Sequence, residues 1–241
     1  MTIEALIKII ENSNNIVFFG GAGVSTESNI PDFRSENGIY TTKNNISYAP
    51  ETILSHSFFE NHIEEFYEFY RNKMIYKNAL PNAAHYALTE LENRGKLKAI
   101  ITQNIDGLHQ LSGSKNVLEL HGSIHRNYCM GCGKQFDLDY IMNSKKIVPK
   151  CDECGQIIKP DVVLYEEPLD IEVINRSLTY VSEADVLIIG GTSLVVYPAA
   201  NLVNYYKGNK LVLINKSSTP FDNRANLILH KSIGETLKSI L

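Results

Sequence analysis

Residues 16–23 read Ile16-Val17-Phe18-Phe19-Gly20-Gly21-Ala22-Gly23. Four apolar residues run straight into a glycine-rich turn, the pattern of a buried strand whose end passes close to something else. Two uses fit such a turn. It can cradle a pyrophosphate, small residues admitting the ligand and free N–H groups receiving it, or it can be a simple tight turn. Similar apolar runs occur at Ala99-Ile100-Ile101-Thr102, Val117-Leu118-Glu119-Leu120, Val162-Val163-Leu164, Val186-Leu187-Ile188-Ile189 and Leu211-Val212-Leu213-Ile214. The last two, Val186–Ile189 and Leu211–Ile214, are short and wholly apolar, which suits parallel strands covered on both faces. Helical spacing marks residues 3–11 (Ile3, Leu6, Ile7, Ile10), the aromatic stretch from Phe58 to Tyr76, the segment after Pro81-Asn82, and residues 170–182. Residues 24–56, broken by Pro31, Gly38 and Pro50, read as loop. Strands alternating with helices predict an α/β fold, a doubly wound parallel sheet with right-handed crossovers. A hydride-transfer dehydrogenase fits poorly, because no second strand with a terminal acidic residue comes ~20 residues after the turn.

The chain has 241 residues, enough for one large domain, or one with a modest insertion, that buries a full core without disulfides. A net charge of −4 offers no basic field to nucleic acid or an anionic membrane. No apolar run approaches the ~20 residues of a membrane span. The start, Met1-Thr2-Ile3-Glu4-Ala5, lacks a basic segment followed by an apolar stretch, so the expected location is cytoplasmic.

The four cysteines, Cys129, Cys132, Cys151 and Cys154, form two Cys-x2-Cys pairs. Two such pairs can complete a tetrahedral thiolate shell for zinc. Disulfides or a redox pair are the competing uses. A reducing compartment disfavours the first, and the second needs no second pair. Four thiolates leave no open position, so the metal is expected to be structural. Gly131, Gly133 and Gly155 suit the positive φ such knuckles need.

Polar chemistry gathers at two strand ends. Thr102-Gln103-Asn104-Ile105-Asp106-Gly107-Leu108-His109 comes after one and His121-Gly122-Ser123 after another. In open α/β sheets ligands bind outside the carboxyl ends of strands. His121 there is placed for acid–base work, or it simply satisfies a loop start. Asp106 can hold a ligand amide or cap the turn before Leu108, and the two roles are compatible.

Together these segments resemble the sirtuin family of NAD-dependent protein lysine deacylases. The matching residues are Gly21-Ala22-Gly23-Val24-Ser25-Thr26, Ile30-Pro31-Asp32-Phe33-Arg34, Asn37-Gly38-Ile39-Tyr40, Thr102 to His109, Glu119-Leu120-His121-Gly122, both cysteine pairs, Gly191-Thr192-Ser193-Leu194-Val195-Val196-Tyr197-Pro198-Ala199-Ala200, and Ile214-Asn215. They come in the family's order and span nearly the whole chain, with little beyond a bacterial or archaeal type of catalytic core.

The resemblance implies a Rossmann-like NAD-binding domain from residues 1–40, 82–125 and 158–241, with a smaller helical and zinc-ribbon module from 41–81 and 126–157. It implies deacetylation of protein lysine with NAD as co-substrate, yielding nicotinamide, free lysine and O-acetyl-ADP-ribose. His121 matches the general base, acting with Asn104 on the ribose. Asn104, Ile105 and Asp106, with Ala22 and Ile30, match the nicotinamide and ribose pocket, and Gln103 a ribose contact. Ala22, Gly23, Ser25, Thr26, Asp32, Phe33 and Arg34 match the cofactor loop, Phe33 shielding the reacting ribose carbon. Gly191, Thr192, Ser193 and Asn215 match the adenosine end, with Ile233 beside the adenine. Val163, Leu164, Tyr165, Glu166 and Val195 match the strands that pair with an acyl-lysine peptide. Structural zinc falls to the four cysteines. The expected partners are acyl-lysine proteins, with no nucleic acid or membrane required and a monomeric chain.

Three departures stand out. Leu164-Tyr165-Glu166-Glu167-Pro168 replaces the family's Phe-Gly-Glu, which suggests that Glu166 and Glu167 favour basic residues beside the target lysine. Desuccinylating relatives carry Tyr and Arg three residues apart. Here the pair is Tyr67 and Tyr70, with Arg71 one ~100° helical step away, so acetyl is expected over succinyl. Asn29 stands where Gly often precedes Ile30, and Asn tolerates left-handed φ.

Two other activities compete. An NAD-dependent ADP-ribosyltransferase would share the cofactor site. A zinc-ribbon binding module would need a basic ribbon, yet Arg126, Lys134, Lys145, Lys146 and Lys150 are nearly balanced by Asp137, Asp139, Asp152 and Glu153.

Overall fold

A computed structural model describes residues 2–33, 38–39 and 48–240. Among them are nine strands: β1 Ile16–Gly20, β2 Leu97–Thr102, β3 Val117–Glu119, β4 Gly122–Cys129, β5 Gln135–Phe136, β6 Ile158–Val162, β7 Val186–Gly190, β8 Leu211–Ile214 and β9 Leu227–Leu229. Six form a wholly parallel sheet in the order β3-β2-β1-β7-β8-β9. The order reverses beside β1, which pairs with β2 on one side and β7 on the other. The remaining three make a small antiparallel sheet, β5-β4-β6.

The apolar runs are buried for the expected reason. Every residue of β1, β7 and β8 is buried, and alternate side chains feed opposite faces. Phe18, Ile100, Ile188 and Val212 face the helices Ile3–Glu11, Ala83–Asn93 and Ile233–Lys238 through Leu6, Leu88 and Leu237. Val17, Phe19, Ile101, Ile189 and Leu213 face the helix Ile171–Glu183 and the turns Ala199–Tyr205 through Val181, Leu202 and Val203. Asn82 starts the helix Ala83–Asn93 as a capping box. Its Oδ1 accepts from Ala84 N at 2.9 Å, and His85 Nδ1 accepts from Asn82 N at 3.2 Å.

The aromatic stretch differs from one continuous helix. It divides at His62, whose φ and ψ are −137° and 51°, into His56–Asn61 and Ile63–Phe69, and ends in a wide π turn, Tyr70–Met74. The break lets Phe59 and Phe66 meet edge to face at 5.0 Å, while Tyr70 stacks on Phe66 at 5.7 Å. These rings pack with Ile124, Leu138, Val162 and Leu164 as a separate core. The loop read over residues 24–56 carries local order of its own, a 3-10 turn at Thr26–Ser28 and a helical turn at Pro50–Ile53. Gly133 and Gly155 take positive φ, 74° and 71°, at the cysteine knuckles. Gly131 does not; its small size matters instead, because a Cβ would lie 2.6 Å from Gln156 Cγ.

The turns after β1 and β7 touch backbone to backbone. A Cβ on Gly23 would lie 2.7 Å from Gly191 Cα, and Gly23 N donates to Gly191 O at 2.8 Å. Gly191 has φ +60°, and a Cβ there would collide with the Val24 amide. Gly95 has a similar φ, +70°, but open space around it. Gly95→Ala should cost the left-handed penalty alone, about 1 kcal/mol or roughly 3 °C in Tm. Gly191→Ala should lower Tm by at least about twice as much, because backbone must also move. Thermal unfolding of the two variants side by side checks the ordering.

Candidate active site

Gly20, Thr102 and Gly190 end their strands in register, Gly20 pairing with both of the others. The loops leaving these three strand ends therefore converge on one crevice outside the sheet. Gln103 N donates to Gly20 O at 3.0 Å, tying the loop after β2 to the end of β1. Ser25 then joins the two loops through side chains: its hydroxyl donates to Asp106 Oδ2 at 2.6 Å and accepts from Asn104 Nδ2 at 3.1 Å. Asp106 Oδ1 accepts from Leu108 N at 2.9 Å, so its cap-like role and its place in the site coexist. Burial raises the Asp106 carboxyl above its ordinary range, and the bonds from Ser25 and Leu108 offset part of that.

His121 lies just beyond β3. Its Nδ1 lies 3.0 Å from Gln103 O. A carbonyl only accepts, so Nδ1 carries the proton and Nε2 of the neutral ring is left as a base. Burial lowers the imidazole below 6.5, outweighing the Gln103 bond, which raises it. The ring is therefore neutral near pH 7. On the other wall, Gln103 Nε2 donates to Thr192 Oγ1 at 3.1 Å, and Thr192 Oγ1 in turn accepts from Leu194 N at 3.2 Å. Leu194 is buried at φ +55°. Asn29 also takes a left-handed φ, +61°, which its residue type tolerates.

Most amides of the glycine-rich turn are engaged within the protein. Gly21 and Gly23 donate to the carbonyls of Gly190 and Gly191, while Val24 and Ser25 close a 3-10 turn on Gly21 and Ala22. The turn therefore offers a ligand chiefly closeness of approach.

These groups line a cleft of about 870 Å³, large enough for a dinucleotide together with a peptide side chain. Ala22, Gly23, Ser25, Thr26, Ile30, Asp32 and Phe33 lie along it, as do Gln103, Asn104, Ile105, Asp106 and His121. Gly191, Thr192, Ser193, Asn215 and Ile233 line it as well, and so do Val163, Leu164, Tyr165 and Glu166. Val195 does not line it and is 44% exposed. Arg34, Asn37 and Tyr40 lie outside the described residues.

Residues that sequence reasoning missed also line the cleft: Glu27, Lys73, Met74, Tyr76, Lys216 and Lys231. Lys73 and Met74 belong to the π turn, whose extra residue per turn no periodicity announces. Glu27 anchors the site through the C-terminal helix, its Oε1 accepting from Gly234 N at 2.8 Å. Tyr67 and Tyr70 are fully buried packing residues, and Arg71 donates to the carbonyls of Ser144 and Lys146, away from the cleft.

The four cysteine sulfurs lie within 4.8 Å of one another. Cys129 and Cys154 are 3.3 Å apart, Cys132 and Cys151 3.7 Å, without a disulfide between them. Four converging thiols fit a tetrahedral zinc ion, and fill its coordination.

Comparison with known proteins agrees with this geometry. Residues 21–198 match the Sir2 family. The NAD-dependent protein deacetylase of Clostridium acetobutylicum is 68% identical over 239 residues, covering 99% of this chain and 98% of its own. That of Clostridium tetani is also 68% identical, covering 100% of this chain and 97% of its own. Among solved structures, a Sir2 with a deacetylated p53 peptide and 3'-O-acetyl ADP ribose superposes with a TM-score of 0.92 at 37% identity, covering 100% of this chain and 97% of its own. A Sir2 with a p53 peptide and NAD+ gives 0.88 at 37% identity, with the same coverage. Fold, ordered motifs and relatives agree: this chain belongs to the Sir2 family.

Proposed function

We propose that the chain is an NAD-dependent protein lysine deacetylase, and that the cleft joining Ser25, Asn104, Asp106 and His121 is its active site. The observation that carries this is a neutral, half-buried imidazole, its Nδ1 on Gln103 O and its Nε2 left as the base, at the same strand ends as an amide–carboxylate pair. The deacetylase relatives, 68% identical over nearly the full chain, support it, as do Sir2 structures with NAD+ and with acetylated peptide.

NAD supplies the bond that breaks: nicotinamide leaves the ribose, and the acyl group ends on ADP-ribose. That cleavage builds positive charge on the ribose and needs positioning more than a strong acid. Asp106 and Asn104 hold the nicotinamide amide and its ribose, in a pocket dry enough to strengthen their bonds. His121 Nε2 takes the proton of a ribose hydroxyl, and its Nδ1–H bond to Gln103 O holds the ring steady for the transfer. Phe33 covers the reacting carbon once nicotinamide has gone. Gln103 and Thr192, bonded to each other, face the ribose, and Ser193, Asn215 and Ile233 hold the adenosine end. Val163, Leu164 and Tyr165 receive the peptide on one side and Val195 on the other.

We divide the chain into a NAD-binding domain of residues 1–40, 82–125 and 158–241 and a smaller module of 41–81 and 126–157. An aromatic core apart from those of the parallel sheet supports a smaller module, and Ile124, Val162 and Leu164 reach into it from the NAD-binding side of these bounds where β4 and β6 pair. No helix among the described residues is long and apolar enough to cross a membrane. We assign the protein to the cytoplasm, where four reduced thiols can hold their metal, acting as a monomer on acyl-lysine proteins with no need of nucleic acid.

The deciding experiment mixes the protein with an acetyl-lysine peptide, with and without NAD, and measures nicotinamide and free-lysine peptide by mass. Products should form only with NAD, and His121→Ala should reduce kcat at least ~100-fold. ADP-ribose left on protein, with no requirement for acyl-lysine, would instead mark an ADP-ribosyltransferase. The pH profile reflects the depressed imidazole. A base must be unprotonated, so kcat/KM should hold at pH 7 and fall on the acid side with a midpoint below 6.5.

With Tyr67 and Tyr70 buried and Arg71 turned away, acetyl-lysine should exceed succinyl-lysine in kcat/KM by at least about tenfold, about 1.4 kcal/mol. Competing the two peptides in one reaction measures this directly. The zinc, filled by four thiolates, would hold the small module together without touching the chemistry. A chelator should therefore abolish activity in step with loss of near-UV circular dichroism, and added zinc should restore both. Full activity of a folded, metal-free protein would contradict that.

A further inference from the structure

The segment after β6 crosses from the catalytic histidine to the small module. Val163 N donates to His121 O at 3.0 Å. Tyr165 N then donates to Leu54 O at 2.9 Å, and Tyr165 O accepts from His56 N at 2.9 Å. Leu54, Leu164, Tyr165 and Glu166 all line the cleft, so these bonds build one of its walls.

Glu166 has φ +76°, a left-handed conformation that favours glycine. In extended backbone, successive side chains point to opposite faces. The left-handed residue breaks that alternation, and both Glu166 and Glu167 reach the start of the helix His56–Asn61. Glu166 Oε2 accepts from Ser57 N at 2.9 Å and Oε1 from the Ser57 hydroxyl at 3.0 Å. Glu167 Oε1 lies 2.8 Å from His56 Nδ1, while its Oε2 accepts from Lys159 Nζ at 3.1 Å and Leu164 N at 2.9 Å. Both carboxylates are thus engaged within the protein. Glu167, paired with Lys159, is drawn away from the expected reading of basic residues beside the target lysine, while Glu166, bonded to the neutral donors of Ser57, keeps its charge.

We propose that Glu166 is a positioning residue for the acyl-lysine peptide: held by Ser57, it latches the peptide-side wall of the cleft to the small module. The proposal rests on the deacetylase reading and deepens it. Because the latch orders the wall before the peptide arrives, losing it adds an ordering cost to peptide binding and leaves the NAD side untouched.

The test compares Glu166→Ala, Glu166→Gly and Glu166→Gln with the intact protein, using acetyl-lysine peptides with and without flanking Arg or Lys. Glu166→Ala should raise the peptide KM about fivefold or more, equally for both peptides, while kcat and the KM for NAD stay within twofold. Glu166→Gly, which relieves the left-handed backbone but lacks the carboxylate, should behave the same with a Tm no lower than that of the intact protein. Glu166→Gln keeps an acceptor oxygen and should restore most of the affinity. Hydrogen exchange gives a readout free of substrate: the amides of His56, Ser57 and Tyr165 should exchange at least tenfold faster in Glu166→Ala. A KM loss confined to basic peptides would overturn the proposal in favour of direct charge recognition. Unchanged KM together with unchanged exchange would also overturn it. If the intact protein fails to turn over any acetyl-lysine peptide, the deacetylase reading falls, and with it the peptide role of Glu166, while exchange still decides whether the latch exists.

Discussion

Everything near the cleft depends on two chain reversals that lie backbone against backbone, Gly23 on Gly191. The parallel sheet changes direction beside β1, and there the loops leaving β1 and β7 must diverge while starting side by side. Only residues without a Cβ can start that closely packed. Gly21 meets Thr192 in the same way, with 2.8 Å to the Thr192 Cβ from a hypothetical methyl. The contact sets where Ser25 emerges on one side and where Thr192 emerges on the other. Ser25 in turn fixes Asn104 and Asp106, and Thr192 fixes Gln103, whose carbonyl orients His121. A chain of short bonds thus carries the geometry of one backbone contact to the imidazole proposed as the base.

Much of this was legible in the residues, and the exceptions have physical causes. The runs at Ile16, Val186 and Leu211 announce buried parallel strands because nothing polar interrupts them, and β1, β7 and β8 are buried at every position. His121 and the residues from Gln103 to Asp106 could be picked out because chemistry concentrates at strand ends. The thiol pairs declared themselves by spacing. The wide turn at Tyr70–Met74 could not be read, since a helix that gains a residue per turn keeps its composition and loses its period. The use of the glycine turn's amides could not be read either, because their acceptors, Gly190 and Gly191, are more than 160 residues away. Glu166 shows the opposite limit. Its identity is visible in the chain, but whether a carboxylate faces a substrate or its own fold depends on a φ angle.

The two histidines of the central region illustrate how burial assigns roles. His121 lines the cleft and keeps one carbonyl partner on Nδ1, and its lowered pKa leaves the ring neutral, as the proposed base role requires. His109 sits deeper, packed on Phe18 and His85, with both ring nitrogens lacking a partner among the described residues. Its imidazole is pushed well down by burial and by His85 nearby. The same residue type at two depths lines the cleft in one case and fills the core in the other.

The strand pairing at the centre of the sheet has a kinetic consequence. Phe18 in β1 pairs with Ile100 on one side and Ile188 on the other, so neither neighbour is local in the chain. Loop-closure entropy grows only with the logarithm of length, about 0.6 kcal/mol per doubling. The chain between β1 and β7, which carries the small antiparallel sheet, therefore costs the native state little. The folding rate is more sensitive, because the central strand gains no hydrogen-bonded neighbour until distant segments have met. No fragment lacking either β2 or β7 contains both walls of the crevice.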